Sequence, residues 1–371
     1  MKKLLIIIGT RPELIKLFPI YKILKSKKKY SVKVCFTGQH EELIHKTNNI
    51  FKIKMDFSFK KINKKNNLNI LSSNIYKNLN EVFISENPNL IVVQGDTTTT
   101  MVSAICAFNL QIPIAYLESG LRTYNLNSPF PEEANRQIIS RISSINFCPT
   151  IQNLNNLKNE KVYGLNYLVG NTVIDSINFI LRNYKSSKKE VFSKLKIRDK
   201  YHKFIVITAH RRENFGSKYI NILKAIEDIS ENNPKVLIIF ISHPNPLVQK
   251  MISKYLKKAK NIILSNNLNY VEFINLLKHS YFVISDSGGI QEEISILNKP
   301  LLMIRDTTER SEGIKSGFIK KVGTNKSKIV NTANILLKSS ALYKSMINKK
   351  SPFGDGKSSI KIEKIISNFL G

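Results

Sequence analysis

Leu4-Leu5-Ile6-Ile7-Ile8-Gly9-Thr10-Arg11-Pro12-Glu13, close to the start of the 371-residue chain, sets the fold. Five consecutive apolar residues without alternation suit a strand covered on both faces, as in a parallel sheet. Gly9 allows a tight turn, and Pro12 is favoured at the first position of a helix. The stretch therefore spells strand, turn, helix. The same pattern recurs at Val32–Phe36, Leu90–Val93, Ile112–Leu117 and Ile145–Cys148. It recurs again at Phe204–Thr208, Val236–Ile241, Ile262–Leu264, Tyr281–Ile284 and Pro300–Ile304. Strand–helix alternation over the whole length predicts an α/β protein of two Rossmann-like, doubly wound domains facing across a cleft.

A natural boundary lies near Val169–Thr172, where one series ends and a helical stretch, Val173–Tyr184, begins. The expected division is residues 1–170 for the first domain, 171–352 for the second, and 353–371 for a tail. Ser358–Leu370 carries apolar residues at helical spacing and is expected to pack back on the first domain. The Lys/Asn-rich Lys60–Asn69 reads as a surface loop.

Lys and Arg number 58 against 27 Asp and Glu, a net charge of +31, which invites a polyanion- or nucleic-acid-binding function. Only ten of the 58 are Arg, and eight of those lie in or beside the motifs below. The Lys excess reads as a solvated surface, and the basic stretches lack interleaved aromatics, so no nucleic-acid partner is expected. The cysteines, Cys35, Cys106 and Cys148, are far apart in apolar runs and suit buried positions in a reducing compartment. The apolar start is too short for a secretion signal, and no run reaches the roughly 18–20 residues of a membrane span. A cytoplasmic location without membrane association is expected.

In doubly wound folds, ligands gather beyond the carboxyl ends of the strands. There the first half offers Arg11 with Lys16, then Gly95-Asp96, then Glu118-Ser119-Gly120, and Glu132 in the first turn of a helix after Pro131. Asp96, Glu118 and Glu132 converge on one sheet edge, where acids can act as proton donors and acceptors. In the second half, His210-Arg211-Arg212 follows a strand, and His243 follows another. Ser287-Gly288-Gly289 opens a helix whose bare N–H groups suit a diphosphate, and Glu293, one turn inside, can accept from ribose hydroxyls. Arg305 to Arg310 adds anion-binding capacity. No Cys/His spacing suggests a metal, and no ATP loop is present. A nucleotide-sugar enzyme follows, with a glycosyltransferase sharing the description.

The motifs resemble one family, the non-hydrolysing UDP-N-acetylglucosamine 2-epimerases. The resemblance rests on Gly-Thr-Arg-Pro-Glu (9–13), Gly-Asp-Thr-Thr-Thr-Thr (95–100), Glu-x-Gly-Leu-Arg-Thr (118–123) and Ser-Pro-x-Pro-Glu-Glu-Ala-Asn-Arg (128–136). It continues in Gly-Asn-Thr-Val-Ile-Asp (170–175), His-Arg-Arg-Glu-Asn (210–214), Asp-Ser-Gly-Gly-Ile-Gln-Glu-Glu (286–293) and Arg-Asp-Thr-Thr-Glu-Arg (305–310). These are collinear and cover nearly the whole chain. The resemblance implies a glycosyltransferase-B-like fold, a homodimer, a UDP-sugar substrate and no cofactor. It implies interconversion of UDP-GlcNAc and UDP-ManNAc, by elimination of UDP to 2-acetamidoglucal and re-addition, feeding cell-surface polysaccharide synthesis. By motif, Asp96, Glu118 and Glu132 handle the C2 proton and His210 assists departure of the diphosphate. Arg11 and Lys16 match positions near UDP, Ser287, Gly288 and Gly289 diphosphate contacts, Glu293 a ribose contact, and Arg310 a further substrate contact. Leu268 and Phe273 fall where the family cradles uracil.

Two stretches depart from the family. Lys61–Leu68 stands where many bacterial members have Met-x-Pro-Gly-Gln, and Gln39-His40-Glu41-Glu42-Leu43 stands for Gln-His-x-x-Met. Both belong to the family's regulatory UDP-GlcNAc site, to which Gln39, His40 and His243 correspond. Absent or weakened substrate activation is therefore expected. Within the same fold, the alternatives are a hydrolysing epimerase that releases ManNAc and UDP, or an epimerase of a related diacetamido or uronic-acid UDP-sugar.

Overall fold

The computed structural model describes residues 1–39, 41–60, 67–197, 201–209, 211, 214–242, 246–256, 259–265, 268–306 and 308–371, with side chains for all but 41–43, 246 and 247. The chain divides into two compact units, Met1–Asn178 with Phe353–Gly371, and Phe179–Pro352.

Among the described residues, the first unit holds a seven-stranded sheet. Its strands are β1 (Lys2–Ile8), β2 (Tyr30–Phe36), β3 (Phe57–Ser58), β4 (Leu90–Gln94), β5 (Ile114–Leu117), β6 (Ile145–Cys148) and β7 (Leu165–Leu168). They lie in the order β3-β2-β1-β4-β5-β6-β7, every pair parallel. Leu4 to Ile8 are each at most 2% exposed, so the unbroken apolar run is covered on both faces. Leu5 and Ile7 pack with Ile75, Leu79 and Phe83 of the helix Leu68–Glu86 and with Val102 and Cys106 of the helix Thr98–Asn109.

The second unit's sheet comprises β8 (Lys203–Thr208), β9 (Val236–Ile241), β10 (Ile262–Ser265), β11 (Val283–Ser285), β12 (Leu301–Met303) and β13 (Ile319–Lys321). Its order is β10-β9-β8-β11-β12-β13, again all parallel. Both units are thus doubly wound α/β sheets, as the alternation of runs predicts. In each, the strand order reverses once, between β1 and β4 and between β8 and β11, and such reversal points open a crevice at the carboxyl edge. Three strands have no counterpart among the predicted runs: β3, β7 and β13. Each ends its sheet at an edge or is very short, and solvent on one side removes the need for an apolar run. No helix among the described residues is long and apolar enough to cross a membrane.

The division between the units falls inside the helix Thr172–Asn183, whose first half is tied to the first unit. Ser176 Oγ donates to Ile15 O at 2.5 Å. Asp175 accepts from Ser359 N at 2.9 Å, Ser359 Oγ at 2.6 Å and Ser358 N at 3.3 Å, capping the returning helix Ser358–Leu370. Gly170 makes the crossing possible: its φ is +92°, and a Cβ there would lie 3.1 Å from Gly354 Cα and 2.6 Å from Ser358 Oγ. We expect Asp175→Ala to destabilise the first unit by about 1–3 kcal/mol, because two buried N–H groups and a hydroxyl lose their acceptor. An unfolding midpoint equal to that of the wild type would contradict this.

Candidate active site

In the first unit the reversal point brings Gly9, after β1, beside the end of β4. A Cβ on Gly9 would lie 2.1 Å from Thr99 Oγ1 and 2.7 Å from Thr37 Oγ1, so the turn has room only for glycine. The helix Arg11–Lys25 starts here. Its third residue holds the turn before it: Glu13 accepts from Gly9 N at 2.5 Å and Thr10 N at 2.9 Å. Glu13 also accepts from Thr97 Oγ1 at 2.5 Å and Thr100 Oγ1 at 3.4 Å, which joins this turn to the start of the next helix. Burial pushes the Glu13 carboxyl up to about 7, against the opposing pull of Thr97, Gly9 and Thr10. Arg11 is exposed at the first helical position.

Five residues further along, Lys16 turns inward. Its Nζ lies 2.7 Å from Glu118 Oε1 and 2.6 Å from Glu118 Oε2, with both side chains at least nine-tenths buried. Gln94, the last residue of β4, donates from Nε2 to Glu118 Oε2. Glu118 itself follows β5 with φ at +64°, a conformation that costs a non-glycine residue about 1–3 kcal/mol and persists only where the surroundings enforce it. Those surroundings are visible. Ser119 Oγ donates to Asn146 Oδ1 at 2.8 Å, and Gly120 sits so close to Asn153 that a Cβ would be 2.2 Å from its carbonyl oxygen. Arg122 closes the turn with a two-pronged bond to Glu160, 2.8 Å at each contact.

Asp96 lies at the carboxyl end of β4, adjacent to β5. Arg136 Nε and Nη2 reach its Oδ2 at 2.9 and 2.7 Å, and Asn135 Nδ2 donates to its carbonyl oxygen at 2.8 Å. Arg136 is held in turn by Glu133 at 3.1 Å, and Glu133 accepts from Thr123 N at 2.9 Å and Tyr124 N at 3.1 Å. Glu132 heads the same helix, Glu132–Ile142, and is half-buried. Glu118 and Asp96 are therefore each countered by a cation of their own. Gln94, Glu133 and Arg136 set these acids in place; Glu133 and Arg136 stand in the sequence as parts of the 128–136 motif and Gln94 only as the end of a strand, and their roles depend on distant partners. Their partners lie 24 or 40 residues away, or serve backbone groups of a neighbouring loop.

In the second unit, Thr208 Oγ1 and Ser285 Oγ, 2.6 Å apart, clip the ends of β8 and β11 together. Asp286, fully buried, accepts from Arg211 N at 2.8 Å and Asn214 Nδ2 at 3.0 Å, anchoring the segment after β8. Ser287 then leads into the helix Gly288–Leu297. A Cβ on Gly288 would lie 2.8 Å from Arg310 Nη1, whereas Gly289 has only Ser287 Oγ within 4 Å, at 3.9 Å. Gly288 thus lets Arg310 lie against the helix start, and Gly289 leaves its N–H groups approachable. Arg310 is oriented by Glu292 Oε1 at 2.7 Å and by Glu309, which Arg305 also reaches at 3.4 Å. Glu293 accepts from Tyr270 OH at 2.9 Å. That bond ties it to the helix Tyr270–His279, which carries half-buried Phe273 just after half-buried Leu268.

Gln39 accepts from Thr99 Oγ1 at 2.7 Å, beside the Gly9 turn. His210, His40 and His243 lie outside the described residues. Among the described residues, no group of three or more His, Cys, Asp or Glu side chains is placed to hold a metal ion. The three cysteines are buried, and burial pushes Cys106 up to about 11 and Cys148 up to about 12, far from a reactive thiolate.

A family model described as UDP-N-acetylglucosamine 2-epimerase matches residues 22–367. The UDP-N-acetylglucosamine 2-epimerase of Campylobacter jejuni is 42% identical over 98% of this chain and 97% of its own. Among solved structures, the UDP-GlcNAc 2-epimerase of Neisseria meningitidis bound to UDP-GlcNAc is similar with a TM-score of 0.94 and 37% identity, covering 99% of this chain and 100% of that one. The Methanocaldococcus jannaschii UDP-GlcNAc 2-epimerase in complex with UDP-GlcNAc and UDP is similar at 0.85 and 32%, covering 99% of each chain.

The geometry at Glu13 makes stability depend on pH. Its carboxyl holds a proton in the folded state up to about 7 but releases it near 4.5 when unfolded. Stability drawn from this group is complete below about pH 4.5 and is lost as pH rises toward 7. Glu13→Gln should flatten that decline, by on the order of 2 kcal/mol between mildly acidic and mildly alkaline buffers. Parallel denaturation curves for the two proteins over this range test it; an identical pH slope would contradict it.

Proposed function

Because the chain belongs to the UDP-N-acetylglucosamine 2-epimerase family, we propose that it interconverts UDP-GlcNAc and UDP-ManNAc without releasing the sugar. The observation that carries this reading is the buried Glu118 carboxylate, fixed by Lys16 and Gln94 one strand away from Asp96. The C2–H of a glycosyl unit is not acidic, since no carbonyl adjoins it. Removing it requires the C1–O bond to break toward UDP as a base takes the proton, leaving a C1=C2 double bond. UDP then re-adds at C1, and a proton reaches C2 on the opposite face. Two positioned carboxyl groups suit this exchange.

The roles divide by chemistry. Asp96, Glu118 and Glu132 exchange the C2 proton and support positive charge on the sugar ring. His210 assists the departing diphosphate, with Arg11 and Lys16 as nearby cations. Ser287, Gly288 and Gly289 offer helix N–H groups to the diphosphate, beside Arg310, which Glu292 and Glu309 orient. Glu293 takes the ribose and Leu268 with Phe273 the uracil. The relatives solved with UDP-GlcNAc and UDP support this choice of ligand. The Gly-Thr-Arg-Pro-Glu opening, which resembles the non-hydrolysing branch, supports return of the sugar to UDP. A homodimer and a role in supplying cell-surface polysaccharide belong to the same reading.

Proton NMR of the purified protein with UDP-GlcNAc in D₂O tests it. UDP-ManNAc carrying deuterium at C2 is expected; free ManNAc with UDP would contradict retention of the sugar, and an unchanged spectrum would contradict the reading itself. Asp96→Asn, Glu118→Gln and His210→Ala should each lower turnover by about 10²–10⁴ while circular dichroism stays that of the wild type. Near-normal turnover in all three would overturn the assignment of roles.

A further inference from the structure

Gln94 and Asn171 are each oriented by one partner, and each has a second polar atom pointing elsewhere. Gln94 Nε2 donates to Glu118, which directs its Oε1 the other way. Asn171 Oδ1 accepts from Val173 N at 3.0 Å at the start of the helix Thr172–Asn183, which likewise fixes Nδ2. Both residues are 3% exposed, and neither Gln94 Oε1 nor Asn171 Nδ2 has a hydrogen-bond partner among the described residues. One is an acceptor and the other a donor. They line a single pocket together with Lys16, Glu118 and Ile362 of the returning helix, against apolar walls of Leu117, Phe147 and Val169. Its interior has room for one water-sized molecule, and the two unpartnered amide atoms supply the acceptor and the donor that would hold one.

We propose that one buried water bridges these two amides and that Gln94 and Asn171 act through it as positioning residues for Glu118. The water accepts from Asn171 Nδ2 and donates to Gln94 Oε1. The bridge fixes the plane of the Gln94 amide, and that amide fixes Glu118 Oε2. Asn171 is itself anchored, its N–H donating to Phe353 O at 2.6 Å where the chain re-enters the first unit. The proton-transferring carboxylate is thereby tied to the crossing of the two chain segments. The consequence for catalysis rests on the role proposed above for Glu118; the bridge itself does not.

Two substitutions separate this from a merely structural role. Asn171→Ser keeps an acceptor for the Val173 N–H, since serine is an effective helix cap, but loses the amide donor. Gln94→Met keeps the length of the side chain and loses both amide groups. Each should lower kcat by about tenfold or more with KM within about twofold, the pattern of an interaction made in the transition state. The double variant should be no slower than Gln94→Met alone, because both changes break one bridge. A high-resolution crystal structure of the wild type should show a water within hydrogen-bond distance of Gln94 Oε1 and Asn171 Nδ2. A dry pocket, multiplying losses in the double variant, or an unchanged kcat in Asn171→Ser would overturn the proposal. Should the wild type fail to epimerise at all, the functional reading falls, and the crystallographic water still decides whether the bridge exists.

Discussion

A buried ion pair between Lys16 and Glu118 is the constraint around which the first unit is organised. Taking both charges out of water costs several kcal/mol per ion, and only close geometry with further hydrogen bonds offsets it. The structure supplies both: two contacts of 2.6 and 2.7 Å, and the Gln94 amide as a third donor. Three separate elements must agree to deliver them. The helix Arg11–Lys25 must start where Glu13 can hold the Gly9–Thr10 turn, β4 must end at Gln94, and β5 must give way to a residue at positive φ. Such a pair is poor as a source of stability, for a well-packed apolar substitute would serve the fold as well. Its value lies in a carboxylate held at one orientation at a sheet edge.

The second unit solves a different problem with similar parts. Gly288 brings the Arg310 guanidinium against a helix start, and Glu292 and Glu309 hold its plane. This alters what the net charge of +31 means. Four arginines near the predicted motifs, Arg122, Arg136, Arg305 and Arg310, are buried and face carboxylates of their own unit. They shape turns and orient acids as much as they supply positive charge. Lysines such as Lys33, with Glu86, and Lys218, with Asp306, pair with carboxylates at the surface, where the Lys excess contributes a field that draws anions inward.

The central strands were legible because burial on both faces demands an unbroken apolar run, and Leu4–Ile8 or Val236–Ile241 can be read without knowing their neighbours. The edge strand β7 could not be read that way: Leu165 and Leu168 are exposed, and its pairing to β6 is made by backbone groups that any sequence provides. The same division holds at the site. Asp96, Glu118 and Ser287 follow strands and could be picked out by position alone. Glu13 could be seen as part of a motif, but its task of joining the Gly9–Thr10 turn to the start of the next helix depends on Thr97 and Thr100, more than eighty residues away. Gln94 looks like the end of a strand until Glu118 is placed beside it. Asp175, quoted in a motif, proves to hold the returning helix Ser358–Leu370.

The central claim is that this fixed carboxylate lets UDP leave the sugar and return. The most direct measurement uses UDP-GlcNAc labelled with ¹⁸O in the bridge between C1 and the β-phosphorus, followed by phosphorus NMR. If the diphosphate departs, its terminal oxygens become equivalent, and label should move from the bridge to non-bridging positions alongside epimerisation. Glu118→Gln should suppress both together. Epimerisation with the label still wholly in the bridge would contradict departure and free return of UDP.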